Sequence, residues 1–252
     1  MELKLGKLEA VYDPQTITLK SILKKLLPPL PDEWEFSKQY PQFDLAPQVW
    51  GNMELGNCVY VASMAQQRDF EVVEQGKVVE VDEDVLKKDY LGEAGGDYGL
   101  VMLSHLKKWQ KEGLPMGPRR KLLCLPIGIK RYHIHAYVSI DCQSQKQLKY
   151  ATFLLGCNIG ALMPDSFLGK FTQGKPWDDT YLPPNPNNGH AMQMRGWIND
   201  GALLWTWGKL QLATWNWMAK YCDEGWAIVD EKDKPDSIID PEKLEGFLRE
   251  II

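Results

Sequence analysis

The sequence predicts an α+β fold with a helical front half and an antiparallel, barrel-like back half. Apolar residues recur at helical spacing after Cys58 and again over 98–111. Residues 132–140 and 190–197 instead alternate between apolar and polar side chains, as strands do, and a hairpin signal follows at 199–201. A length of 252 residues suits one large domain or two lobes that share a cleft.

Residues 1–47 are predicted to be an N-terminal extension that packs on the rest of the chain. An apolar stripe from Leu19 to Leu27 indicates a short amphipathic helix that ends at Pro28. Its simplest role is to dock on the protein itself, and the alternative is to bind a separate partner. Residues 29–47 are aromatic and rich in proline, so we expect them to run extended along the surface instead of forming a core element.

Residues 48–130 are predicted to form the helical lobe. One helix should begin near Cys58 and carry small apolar residues on the face that packs. Residues 71–96 are acidic, β-branched and interrupted by glycine, which favours an exposed hairpin and loop. A second helix should cover 98–111 and end at Gly113.

Residues 131–230 are predicted to form the β-rich lobe, and residues 231–252 a capped C-terminal helix. The pattern predicts strands over 132–140, 159–163, 190–197, 202–208 and 225–230, and helices over 145–157 and 214–221. The long segment 165–189 is rich in Pro, Gly, Asn and Asp, and loops of this length are often functional rims.

Composition excludes several classes of function. The net charge is -5, so nucleic acid is not an expected partner, because phosphate binding needs a concentrated basic face. No apolar run is long enough to span a membrane and no signal peptide is evident, so a cytoplasmic protein is expected. Five widely spaced cysteines without a Cys-x-x-Cys pair indicate neither disulfides nor structural zinc. His133 and His135 share a strand face but lack a third ligand, so no metal and no cofactor is expected.

Cys58 is the candidate nucleophile. It lies at the start of an apolar helix, where free N–H groups and the helix dipole stabilise a thiolate. Gly56 leaves room beside it for a substrate carbonyl. The alternative is a buried cysteine that serves as a small hydrophobic residue. A catalytic cysteine needs a base, and His190 opens a strand 132 residues downstream, a separation found in papain-type enzymes.

The order of these elements resembles the papain-like cysteine peptidases, and most closely a divergent branch found in bacteria and bacteriophages. The segments that carry the resemblance are Leu5-Gly6-Lys7, Leu55-Gly56-Asn57-Cys58, 109–113, Gly189-His190-Ala191, Thr206-Trp207-Gly208 and 221–229. The resemblance implies the papain-like two-lobe fold, with Cys58 on one wall of the cleft and His190 on the other. A bacteriophage origin would make the virion a further expected location.

The resemblance also implies roles for the site residues. Cys58 would be the nucleophile and His190 its base, meeting in hydrogen-bonding range and resting as thiolate and imidazolium. Asn52 stands where the family has its oxyanion glutamine, and Trp207 matches the tryptophan that shields the histidine. Trp205 stands where the family has the asparagine that orients the histidine. Thr206 is the adjacent alternative, but a neighbouring strand residue should face away unless the strand is bulged.

Three functions follow from this resemblance. The first is a peptidase that acts on a peptide or protein through a thioester on Cys58. The second is a papain-fold structural or binding protein, such as a phage-particle component, whose site no longer turns over; Trp205 in place of the orienting amide favours it. The third is a cell-wall amidase on the same fold. Fewer than 58 residues precede the cysteine, so a large inhibitory pro-region is not expected, although residues 4–47 could lie near the cleft. The oligomeric state is open.

Overall fold

Among the residues that the structure describes, helices account for most of the regular secondary structure in the first half of the chain. The computed structural model describes residues 3–22, 27–117, 120–122 and 125–230, so the helix expected in 231–252 lies outside the described residues. The helices in the described part are α1 (Leu19–Ile22), α2 (Phe36–Gln39), α3 (Cys58–Gln75), α4 (Glu83–Ala94), α5 (Met102–Glu112), α6 (Gln145–Leu154), α7 (Phe167–Thr172) and α8 (Trp215–Tyr221).

Strands account for most of the regular secondary structure in the described part of the second half. They are β1 (Trp34–Glu35), β2 (Leu114–Pro115), β3 (Arg120–Leu122), β4 (Leu125–Gly128), β5 (Arg131–Tyr132), β6 (Ile134–Ser139), β7 (Gly156–Leu162), β8 (Gly189–Ile198), β9 (Gly201–Thr206), β10 (Lys209–Thr214) and β11 (Cys222–Asp230). The main sheet is antiparallel in the order β10-β9-β8-β7-β11-β6, and β1 pairs with β8. Two short two-stranded sheets pair β2 with β5 and β3 with β4.

Two large hydrophobic clusters lie on opposite faces of the main sheet. One surrounds α3 and α5 and includes Cys58, Trp109 and Ala191. The other packs α6, α7 and α8 against the sheet and includes Met192, Leu204 and Trp207. Neighbouring residues of β8 belong to different clusters because successive strand side chains point to opposite faces. The α+β, two-lobe fold class predicted from the sequence is confirmed.

Two segment predictions are wrong. The expected hairpin within 71–96 is instead the last part of α3 followed by α4. Asp82 caps α4 by accepting a hydrogen bond from Val85 N–H, and Leu86 and Tyr90 bury one face of this helix. Residues 29–47 are not only a surface segment, because β1 joins the main sheet opposite Trp197 and Phe36 enters a small core of its own. The division of the chain into domains remains a prediction.

Candidate active site

Cys58 is the first residue of α3, and its sulfur is enclosed. The side chain is 1% exposed. The Ala191 N–H donates to Sγ at 3.4 Å. Burial raises the pKa of the Cys58 thiol, while the nearby backbone N–H groups of Ala191, Gly6 and Val59 and the charge of Lys7 act in the opposite direction. In this state the sulfur is therefore a thiol held against the start of β8.

His190 is the second residue of β8 and is fully buried. Its Nε2 lies 2.6 Å from Thr206 Oγ1, and its ring stacks on Trp207 with centroids 4.0 Å apart and planes 12° apart. Burial lowers the pKa of His190 to about 3, so the imidazole is neutral. Among the described residues Nδ1 has no hydrogen-bond partner. The expected hydrogen bond between Cys58 and His190 is therefore absent, and the expected ion pair is not favoured in this state.

Thr206, and not Trp205, contacts the histidine. The expectation that Thr206 would face away unless its strand were bulged is wrong. β9 pairs with β10 in continuous register through Thr206, and its side chain lies on the same sheet face as Leu204 and His190. Trp205 points to the opposite face, where its indole N–H donates to Gln48 O at 3.1 Å. A hydroxyl thus takes the place that the resemblance assigns to an amide.

Asn52 lies in the turn before α3 and is 2% exposed. Its Nδ2 donates to Asn57 Oδ1 at 3.1 Å, and Asn57 Nδ2 in turn donates to Trp50 O at 3.0 Å. This chain of amides fixes Asn52 beside the residue that precedes Cys58. A side-chain amide carries two N–H donors, so this bond uses one of the two that Asn52 has.

Trp207 covers the histidine from a strained position. It follows the last residue of β9 and has a φ of 41°, a left-handed conformation that is rare for a bulky residue. Phe167 and Phe171 of α7 pack on the indole with centroids 5.8 and 5.1 Å away. The segment 165–189, expected to be a loop, therefore contains a helix that supports this ring. Such strain is typical of functional positions.

The segment around Leu5-Gly6-Lys7, which carries part of the resemblance, lies against the site. Residues 3–8, here called the N-terminal strap, cross between Gly56, Gly99 and Gly189. A Cβ added to Gly6 would lie 1.7 Å from Gly56 O, so the two backbones touch. The signal that could have revealed this contact is the placement of glycines, since close backbone approach excludes a side chain.

Two absences apply to the described part of the chain. It contains no group of three or more His, Cys, Asp or Glu residues arranged to hold a metal ion. None of its helices combines the length and apolar character that a membrane span requires. The candidate site itself contains the Cys58 thiol, the His190 imidazole, the Thr206 hydroxyl and the Asn52 amide.

Comparisons with known proteins identify the fold. No family model matches the chain, and no curated protein matches it. Solved structures do match. Xylellain, a cysteine protease from Xylella fastidiosa, has a TM-score of 0.67 at 14% identity and covers 92% of this chain and 97% of its own. Procathepsin B S9 from Trypanosoma congolense has a TM-score of 0.62 at 12% identity, covering 91% and 87%.

A third similar structure is the Carica candamarcensis cysteine protease CMS1MS2 in complex with E-64. Its TM-score is 0.57 at 13% identity, and the match covers 81% of this chain and 100% of that one. At such low identity the likeness concerns the fold, and activity has to be argued from the site. The chain has the papain-like fold over most of its length.

Proposed function

We propose that the protein is a cysteine peptidase that hydrolyses peptide bonds through a thioester on Cys58. The observation that carries the proposal is the juxtaposition of three groups at one end of the sheet. The sulfur contacts the amide next to His190, the Nε2 of His190 is held by Thr206, and Nδ1 has no hydrogen-bond partner within the part of the chain that the structure describes. Nδ1 is thus the nitrogen available to exchange a proton with the sulfur.

In the proposed reaction, Cys58 gives its proton to His190 Nδ1 and the thiolate attacks the carbonyl carbon of the substrate. A C–S bond forms, and the carbonyl electron pair moves to oxygen. The Cys58 backbone N–H and the Asn52 amide would donate to this oxyanion. Collapse breaks the C–N bond, and the leaving amine takes the proton from Nδ1. A water molecule that loses its proton to Nδ1 then attacks the thioester, and the acid product departs as the thiol is restored.

Thr206 and Trp207 are proposed to position the base. The Nε2–H of a neutral His190 would donate to Thr206 Oγ1, which fixes the tautomer whose lone pair is on Nδ1. Trp207 would shield that hydrogen bond from water by stacking on the ring. A peptide or protein would lie in the cleft between the lobes, where the N-terminal strap lies in this structure.

The second candidate is a papain-fold binding or structural protein that does not turn over a substrate. It is favoured by the closed sulfur and by the absence of a hydrogen bond between Cys58 and His190. A cell-wall amidase would use the same steps as the peptidase on a different amide, so the substrate panel separates these two.

The test combines a substrate panel with labelling of Cys58. Peptide mixtures and cell-wall muropeptides are incubated with the protein and with Cys58→Ala and His190→Ala, and products are read by mass spectrometry. We expect new amino termini that neither variant produces. In parallel, a peptidyl epoxide should label Cys58 in Gly6→Ala, in which the strap contact is disturbed, faster than it labels Cys157. Absence of products together with equal labelling of the two cysteines would favour the structural protein.

A further inference from the structure

Asp97 lies in the connection between α4 and α5 and hydrogen-bonds to the turn that precedes Cys58. Its Oδ1 accepts from the Gly56 N–H at 2.8 Å and from the Tyr90 hydroxyl at 2.7 Å. The Tyr90 oxygen in turn accepts from the Gly99 N–H at 3.2 Å. One carboxylate oxygen therefore joins two segments of the chain that are 41 residues apart, and one of them leads directly into the candidate nucleophile.

The turn before α3 also carries hydrogen bonds of its own. The Leu55 N–H donates to Gly51 O at 2.9 Å, and the side chain of Asn52 donates to that of Asn57. These contacts join residues of the turn to one another, so they fix its shape. The bond to Asp97 instead connects the turn to the segment that follows α4, so it fixes where the turn lies.

The groups joined by this carboxylate differ in their access to water. Gly56 and Gly99 are buried and Tyr90 is fully buried, whereas Asp97 is exposed. A charged acceptor makes a stronger hydrogen bond than a neutral one, and a buried N–H that loses its acceptor is unfavourable. Removing the carboxylate therefore leaves buried donors without their partner, yet it takes little apolar surface from the core.

The same turn carries the donors that the proposed reaction needs. In that reaction the Cys58 N–H and the Asn52 amide donate to the oxyanion, and Gly56 lies between them in the chain. We propose that Asp97 is a positioning residue that, through Gly56, holds these two donors in place for the oxyanion. A misplacement of about 1 Å at a reacting centre can lower a rate about 100-fold. This inference rests on the proposed function of the Cys58 site and adds a residue on which its rate depends.

The test compares two reactions of Cys58 that differ in their need for an oxyanion. Hydrolysis of a peptide substrate forms one, whereas alkylation by iodoacetamide forms none. A peptide aldehyde of the same sequence adds to the sulfur and places an oxygen at the same donors, so its inhibition constant is a third readout. We expect Asp97→Ala to lower kcat and kcat/KM equally, by about 10-fold or more, and to weaken aldehyde binding by a similar factor. Alkylation should stay within about twofold of wild type, because it does not use these donors.

Three further variants provide the controls. Asp97→Asn keeps an oxygen acceptor and should keep kcat within about threefold of wild type. Tyr90→Phe removes the hydroxyl that donates to Asp97 and keeps the ring in the core, so its kcat should lie between those of wild type and Asp97→Ala. Asp141→Ala removes a comparable bond, from the Gln143 N–H at 2.9 Å, in the turn before α6 and should leave all three readouts unchanged.

The outcomes separate this inference from the proposed function. An active protein in which Asp97→Ala keeps its kcat, or loses kcat and alkylation by the same factor, overturns the positioning role alone. If Asp97→Ala does not fold, Tyr90→Phe decides by the same comparison, and an unchanged kcat in that variant overturns the role. A wild-type protein that hydrolyses no peptide and binds no aldehyde overturns the proposed function, and the positioning role with it.

Discussion

Replacing Thr206 by Val removes the hydroxyl that lies 2.6 Å from His190 Nε2 and preserves the shape of the side chain. Both groups are buried, so Nε2 would lose its partner without access to water. An unsatisfied buried polar group costs about 1–3 kcal/mol, which corresponds to roughly 5- to 160-fold in an equilibrium or a rate. We therefore expect Thr206→Val to lower kcat/KM by about 5- to 160-fold.

The assay distinguishes a loss of His190 positioning from a general loss of stability. The kcat/KM of Thr206→Val is compared with that of Thr206→Ser, which keeps the hydroxyl and should remain within about threefold of wild type. Nitrogen NMR of labelled histidine reports the tautomer directly: wild type and Thr206→Ser should carry the proton on Nε2 of His190, and Thr206→Val should populate the other tautomer. Urea denaturation measures how much of the effect is lost stability.

The reasoning would be refuted by a Thr206→Val variant that keeps wild-type kcat/KM and an unchanged His190 tautomer. A loss of activity with an unchanged tautomer would also contradict it, because the hydroxyl would then act on something other than the position of the proton.

Three further predictions concern stability. Arg195→Met removes the guanidinium that contacts the buried Asp69 carboxylate at 2.7 and 2.9 Å, so urea denaturation should show a free energy of unfolding lower by about 3–5 kcal/mol. The exposed control Lys38→Met should lose less than about 1 kcal/mol, and an equally small loss for Arg195→Met contradicts the prediction. The pKa of His190 is lowered to about 3, so the unfolded chain binds a proton that the folded chain does not, and the free energy of unfolding falls as the pH drops from about 6.5 toward 3. This contribution reaches about 1.4 kcal/mol per pH unit and should be missing in His190→Gln. Parallel plots of stability against pH for wild type and His190→Gln contradict the prediction. In Gly196→Ala the new Cβ would lie 2.4 Å from the carbonyl oxygen of β1, so hydrogen exchange should show earlier opening of the β1–β8 pairing, and unchanged protection contradicts it.

Periodicity predicted most of the fold because each lobe buries one face of its elements. The strand expected over 132–140 places Ile134, Ala136 and Val138 inside, as alternation requires. The error at α4 has an identifiable source, because the β-branched residues around Val79 belong to the connection before the helix. The capping residue Asp82 and the acidic first turn were the better signals for that segment.

The site was harder to predict because its geometry depends on strand parity and on long-range contacts. The assignment of Trp205 to the histidine followed from the resemblance, whereas the sheet face is set by pairing within β8, β9 and β10. The sequence placed residues 4–47 near the cleft, but the backbone contact of the strap with Gly56 was not predicted, for a related reason. Gly6 and Gly56 are 50 residues apart, and no local pattern in the sequence reports that two distant backbones touch.

The position of Cys58 at a helix N-terminus suggested a thiolate, yet burial favours the thiol. The sizes of the two pKa shifts, one from the helix dipole and one from burial, explain why burial dominates. A helix dipole contributes up to about 2 kcal/mol, or roughly 1.5 pKa units, in a partly buried site. Full burial shifts a pKa by up to about 3–5 units in the opposite direction. The dipole can therefore dominate only after water reaches the sulfur. Cys58 is 1% exposed in this structure, so burial is the larger of the two effects here.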